Sequence, residues 1–182
     1  MERINKIIVL MFLILGGLTG CYKQVPLEKP MVPVEFKVVP LDEPAPPQGE
    51  ADIIITTHMK KKSYIFDPRT AETPYVFTLL IDGKELRESV KGMEEIISDM
   101  EAERGKGIHY NLKKRLRLKQ GSYTIALRSE EGRSTGKNVK LEGGKLYTLR
   151  FEPFYGLKKH HRPKIFEDGV ERYQIYWDEI KF

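Results

Sequence analysis

The residues of this chain whose types could do chemistry are four histidines, one cysteine and a few adjacent carboxylates. His160 and His161 sit side by side in Lys158-Lys159-His160-His161-Arg162-Pro163-Lys164, which invites a metal reading. The spacing opposes it. Neighbours on an extended chain point apart, and no Cys or nearby paired acid completes a tetrahedral set. A cationic loop that gains charge at low pH is the expectation there. His58 and His109 have no marked Ser or Asp companion. Glu94-Glu95, Glu130-Glu131, Glu167-Asp168 and Asp178-Glu179 are acid pairs. Glycosidic chemistry needs two carboxylates across a cleft, about 5–10 Å apart, and turn or helix placement explains each pair. Gly132-Arg133-Ser134-Thr135-Gly136-Lys137 approaches a phosphate-binding loop, but its first Gly is one residue too close and Asn138 stands where Ser or Thr belongs. No Ser lies in Gly-x-Ser-x-Gly. The expectation is a protein that is not an enzyme, with no cofactor and no metal.

Charge is the stronger signal. Residues 106–119 carry Lys106, Lys113, Lys114, Arg115, Arg117 and Lys119 and no acid. On a strand, Lys113, Arg115, Arg117 and Lys119 share one face and span about 20 Å. Such a row either contacts phosphate or carboxylate arrays or forms a solvated face that blunts edge pairing. Arg115 and Arg117, with Lys158 and Lys159, are candidate partner-binding cations. The preceding stretch reverses the sign: residues 85–104 hold seven acids against Arg87, Lys91 and Arg104. Val90, Met93, Ile97 and Met100 recur at three and four, which predicts a helix face. Gly92 weakens that helix, and Gly105 with Gly107 ends it. This insertion, about 85–107, is expected to be helical or irregular. It either caps an open end of the domain, folds back to neutralise the basic row, or offers Glu94, Glu95 and Asp99 to a partner.

The elements that must position these residues begin with a leader. Arg3 and Lys6 precede an apolar run, Ile7 to Leu15, followed by Gly16, Gly17, Leu18, Thr19, Gly20 and Cys21. A charged start, a short apolar stretch and small residues make a secretory signal peptide over residues 1–20. The run falls short of the roughly 20 residues that span a bilayer. Leu18-Thr19-Gly20-Cys21 resembles the lipobox of bacterial lipoproteins. That resemblance implies cleavage before Cys21, lipidation of its thiol and stable anchoring by more than one acyl chain. Tyr22 stands where an Asp tends to hold Gram-negative members at the inner membrane, so the outer membrane, facing periplasm or surface, is implied. Cys21 is the sole cysteine, which leaves no disulfide. The full chain is +5, and loss of residues 1–20 leaves it at about +4. Export removes nucleic acid as a partner, leaving lipid headgroups, cell-wall polymer or an acidic protein surface.

Seven of the eleven prolines fall between Pro26 and Pro47. Residues 21–50 therefore read as lipidated Cys and Pro-rich tether, reaching roughly 30 Å as coil and roughly 90 Å as extended polyproline. Val34 to Val38 alternates and could be a strand docked on the domain edge. From Ala51 to residue 182 the pattern is β. Asp52 to Thr57, Tyr75 to Ile81, Tyr110 to Lys119, Tyr123 to Arg128, Val139 to Leu141, Tyr147 to Phe151 and Tyr173 to Trp177 are the strands. Asp82-Gly83, Gln120-Gly121, Glu131-Gly132, Gly143-Gly144 and Glu167-Asp168-Gly169 are the turns. Tyr173, Ile175 and Trp177 are expected to face a core, and Phe154-Tyr155 to be the exposed aromatic pair. Short strands with turns about ten residues apart predict a sandwich or barrel.

Leu118-Lys119-Gln120-Gly121-Ser122-Tyr123-Thr124-Ile125-Ala126-Leu127, Val139 to Leu149, and Leu80-Ile81-Asp82-Gly83-Lys84 together resemble PEGA-type and related transthyretin-like surface modules. The resemblance implies a small Ig-like or transthyretin-like β-sandwich that serves as a binding or spacer unit and has no active site. The functional expectation is a membrane-anchored envelope lipoprotein, a non-catalytic interaction or structural module that docks a protein complex. The alternative is a module that binds cell-wall or surface polysaccharide.

Overall fold

The computed structural model describes residues 34–62, 71–157 and 164–180. The leader, Cys21, Lys158, Lys159, His160 and His161 lie outside them. Ten strands follow in chain order: β1 (Phe36–Val39), β2 (Glu50–Lys61), β3 (Tyr75–Ile81), β4 (Lys84–Val90), β5 (Met93–Glu95), β6 (Gly107–Lys119), β7 (Gly121–Arg128), β8 (Ser134–Leu141), β9 (Leu146–Phe154) and β10 (Arg172–Ile180). The fold is mainly β, as the alternation predicts. Six strands make one sheet in the order β1-β6-β2-β9-β10, with β5 pairing the start of β6. Four make the other, β4-β3-β7-β8. Pairing is antiparallel except between β2 and β9. Ile53, Ile55, Leu116, Leu118 and Phe151 from the first sheet share a buried core with Phe77, Leu79, Ile81, Ile125 and Leu127 from the second, a sandwich-like arrangement. Tyr173 is buried there and Trp177 stacks on Tyr147 at 4.9 Å, so these two aromatics of β10 pack inward, while Tyr176 on the other face is exposed.

The chain 85–107 is not helical. Asp82 and Gly83 take positive φ, 44° and 84°, the turn that folds β4 back onto β3 in register from Ile81–Lys84 to Tyr75–Val90. Once that turn is set, β4 pairs with the open edge of β3, and sheet pairing overrides the helical spacing of Val90, Met93, Ile97 and Met100. Gly92 closes the alternative further. Its backbone lies so near the sheet that an added Cβ would meet Ile108 Cγ2 at 2.3 Å. Beyond it, β5 returns antiparallel along β6, Glu95 opposite Gly107 and Met93 opposite His109. What remains is a loop, 96–106, with one 3₁₀ turn at Glu101–Glu103.

The domain also begins earlier than Ala51. β1 pairs with residues 115–118 of β6, so the Val34 to Val38 alternation is an edge strand. Residues 41–44 then cross the outer surface of β6. Residues 36–44, expected within the Pro-rich tether, thus pack on the β-domain.

Candidate functional site

The register of three neighbouring strands assembles the site. In the β2–β6 ladder Asp52 opposes Arg117, Ile54 opposes Arg115, His58 opposes Asn111 and Lys60 opposes His109. These residues are out of phase with Ile53, Ile55, Met59, Tyr110, Leu112 and Leu116, which face the core, so they lie on the outer face. That face is partly covered, with Asn111, Lys113 and Lys119 left exposed on it. Segment 41–44 covers one end, and β5 with its loop covers the other.

At the first end Asp52 is fully buried and takes both arginines. Arg115 Nε donates to Asp52 Oδ2 at 2.8 Å, and Arg117 Nε donates to Oδ1 at 2.7 Å. Arg115 also donates to the carbonyls of Leu41 and Pro44, and Arg117 to Pro44. The basic row is thus split. Arg115 and Arg117 are spent inside the fold, which removes them as partner-binding cations, while Lys113 and Lys119 are exposed. The reason is a buried carboxylate on the neighbouring strand, which alternation within one strand does not reveal. Lys114 points to the opposite face and pairs with Glu88 at 2.8 Å, so one acid of the 85–104 stretch does neutralise that segment.

At the second end Lys60 is 1 % exposed, and its ammonium donates to Glu95 Oε2 at 2.9 Å and to the Glu103 carbonyl at 2.8 Å. Glu95 Oε1 lies 3.4 Å from His109 Nδ1. The Glu103 carboxylate is 1 % exposed, on the 3₁₀ turn that drops over the strands. It accepts from the Tyr155 hydroxyl at 2.6 Å. Burial and that carboxylate raise the Tyr155 hydroxyl far above its ordinary pKa. Glu103 Oε1 lies 3.6 Å from His58 Nε2, and Oε2 lies 3.8 Å from His109 Nε2. The two imidazoles meet edge to face at 5.5 Å. Met100 Sδ sits 3.0 Å from His58 Nε2. Burial lowers the His58 pKa, with Glu103 pulling the other way. Among the described residues, Glu103 Oε2, His109 Nε2 and the Tyr173 hydroxyl are the buried side-chain atoms without a hydrogen-bond partner. The ligand atoms of His58, Glu103 and His109 all lie within 4.8 Å of one another.

Of the three acids expected to meet a partner, Glu94 and Asp99 are exposed, whereas Glu95 turns inward to Lys60. Beside them stand Met93 at 61 %, Ile96 at 68 % and Ile97 at 85 % exposure. Met93 and Ile97, expected on one helix face, are instead exposed apolar residues of β5 and of the loop that follows it. Tyr155 corrects the other aromatic expectation, being buried rather than exposed.

No protein-family model matches the chain, and no curated protein sequence matches it. Among the described residues no helix is long and apolar enough to cross a membrane.

Proposed function

We propose that the chain is a lipid-anchored envelope module, not an enzyme, that docks a protein partner through the loop between β5 and β6. Residues 1–21 support the anchor, by the charged start, apolar run and Leu-Thr-Gly-Cys ending described above. The observation that carries the docking reading is the exposed trio Met93, Ile96 and Ile97 within an acidic surround of Glu94, Asp99 and Glu101. Isolated exposed apolar residues are ordinary. Met93 on β5, with Ile96 and Ile97 at the start of a short loop that the β5–β6 pairing pins at both ends, makes a pre-shaped contact, which limits the entropy lost on binding. Glu94, Asp99 and Glu101 beside the apolar residues suit a protein with an apolar pocket that carries basic groups, and the exposed Arg104 and Lys106 at the far end of the loop keep that negative charge local. The polysaccharide reading loses Arg115 and Arg117, which Asp52 engages.

The test is photo-crosslinking in intact cells from position 97 of the tagged full-length chain, with mass spectrometry of the adduct. One dominant protein partner is expected. A Met93→Ser/Ile96→Ser variant carrying the same crosslinker should lose it. Equal capture by that variant would sink the docking reading, and recovery of cell-wall fragments alone would transfer the function to polymer binding.

A further inference from the structure

We propose that His58, His109 and Glu103 bind one borderline divalent transition-metal ion, for which Zn²⁺ is the probe, and that the ion clasps the 96–106 loop onto the outer face of β2 and β6. The inference stands apart from the docking reading, since it concerns what holds the loop rather than what the loop holds.

The argument starts from an imbalance. Lys60, Glu95 and Glu103 form one cluster with two imidazoles, in which Lys60 and Glu103 are fully buried and the others partly so. The single ammonium spends its contacts on Glu95 and on the Glu103 carbonyl, not on the Glu103 carboxylate. That carboxylate is left with one neutral donor, Tyr155, and with an oxygen that nothing satisfies. Burying such an anion is costly unless a cation joins it. The orphaned His109 Nε2 faces the orphaned oxygen at 3.8 Å, too far for a hydrogen bond. Two ligands bound to one zinc at about 2.0–2.2 Å and a tetrahedral angle stand about 3.3–3.6 Å apart. The His58 Nε2–Glu103 Oε1 separation of 3.6 Å falls in that range and the His109 Nε2–Glu103 Oε2 separation of 3.8 Å lies just beyond it. The two rings approach different oxygens of the carboxylate, and the three ligand atoms, within 4.8 Å of one another, would draw closer around an ion.

The surroundings are those of a metal site as well. Glu95 beside His109 Nδ1 favours the tautomer that carries its proton there and leaves the Nε2 lone pair turned to Glu103. Tyr155 orients the Glu103 carboxylate from the other side. Two imidazoles with one carboxylate select a borderline ion over calcium or magnesium, which prefer all-oxygen sets. Three protein ligands would leave a fourth position for water or another donor, and the Met100 thioether, 3.0 Å from His58 Nε2, is the nearest soft donor named beside them.

The experiment strips the purified full-length chain with chelator and titrates Zn²⁺ against a chromophoric competitor. One equivalent per chain is expected. His58→Gln and His109→Gln should each weaken it at least tenfold, and Glu95→Gln by about tenfold through the orienting contact. His160→Ala/His161→Ala should leave it unchanged. X-ray absorption of the loaded protein should show two imidazoles in the first shell. The His58→Gln variant guards against a folding artefact, because that ring sits at the sheet surface with a fifth of its area exposed. No binding at micromolar Zn²⁺, or unaltered binding in both His58→Gln and His109→Gln, would overturn the proposal. So would loss of the bound equivalent in the His160→Ala/His161→Ala variant alone.

Discussion

The outer face of the β2–β6 ladder buries charge at both ends, but only one end is closed. Around Asp52, one carboxylate meets two guanidiniums, and their remaining donors reach backbone carbonyls of 41–44. Around Glu103, the nearest ammonium is turned to other acceptors, and an oxygen and a ring nitrogen face each other unpaired. The same strands and the same face support both. The difference lies in the segment that covers each end: one brings carbonyls to cations, the other brings a second carboxylate. An end that is closed by its own residues reads as structure. An end that is short of a cation reads as a place for something to bind.

The largest effect should come from breaking the closed end. Asp52→Ala leaves two largely buried guanidiniums without their carboxylate and should destabilise the fold by about 3–5 kcal/mol in urea unfolding. The matching change at the open end should behave differently. In chelator-treated protein, Glu103→Gln keeps an oxygen for Tyr155 and removes the uncompensated charge, so stability should change by no more than about 1 kcal/mol. Equal losses in the two variants would mean that Glu103 is as well matched as Asp52, and the comparison would fail.

Gly92 tests how tightly the covering loop is seated. Gly92→Ala forces a methyl against Ile108 and Tyr110, both in the core, and should cost about 1–3 kcal/mol. A neutral result would show that the strand-to-loop junction gives way easily, and a clasp would then have little to hold in place.

Glu131 supplies a third carboxylate with known partners. Burial alone would raise its pKa, but hydrogen bonds from the Lys61 ammonium and the Tyr75 hydroxyl lower it from 4.5 to about 2. The folded value lies below the unfolded one. Its contribution is therefore complete above about pH 4.5 and is lost as pH falls toward about 2. Urea midpoints at pH 6, 4, 3 and 2 should drop more steeply for the native chain than for Glu131→Gln. Parallel pH profiles would remove that pairing as a benchmark for the other two carboxylates.

The alternation made the strands legible, because one face of each meets a core: Ile53 and Ile55, Leu116 and Leu118, Ile125 and Leu127. Asp82-Gly83 marked the β3–β4 turn for the same local reason, since both residues tolerate positive φ. The 85–107 stretch misled because helical spacing and strand pairing compete there, and the winner depends on the open edge of β3. The candidate site was illegible for a different reason. Strand parity alone puts His58 and Lys60 on one face of β2, yet their partner His109 follows only from the β2–β6 register, about fifty residues away. Glu103 sits on a loop whose fold over that face no local pattern encodes. Arg115 and Arg117 looked free because Asp52 belongs to another strand.

The smallest effect on the fold should come from the residues given the largest part in binding. Ile96→Ser/Ile97→Ser removes two side chains that are mostly in water, so stability should stay within about 0.5 kcal/mol of the native chain by urea unfolding. The backbone contact that ties the loop, from the Gly105 N–H to the Ile96 carbonyl, does not need either side chain. A loss of more than 1 kcal/mol would mean that these isoleucines pack against something in the folded chain, and the apolar trio would then be part of the clasped loop rather than its contact surface. A neutral result together with the lost crosslink of Met93→Ser/Ile96→Ser would separate what seats the loop from what it meets: the proposed clasp at Glu103 holds it in place, and its exposed apolar side chains make the contact.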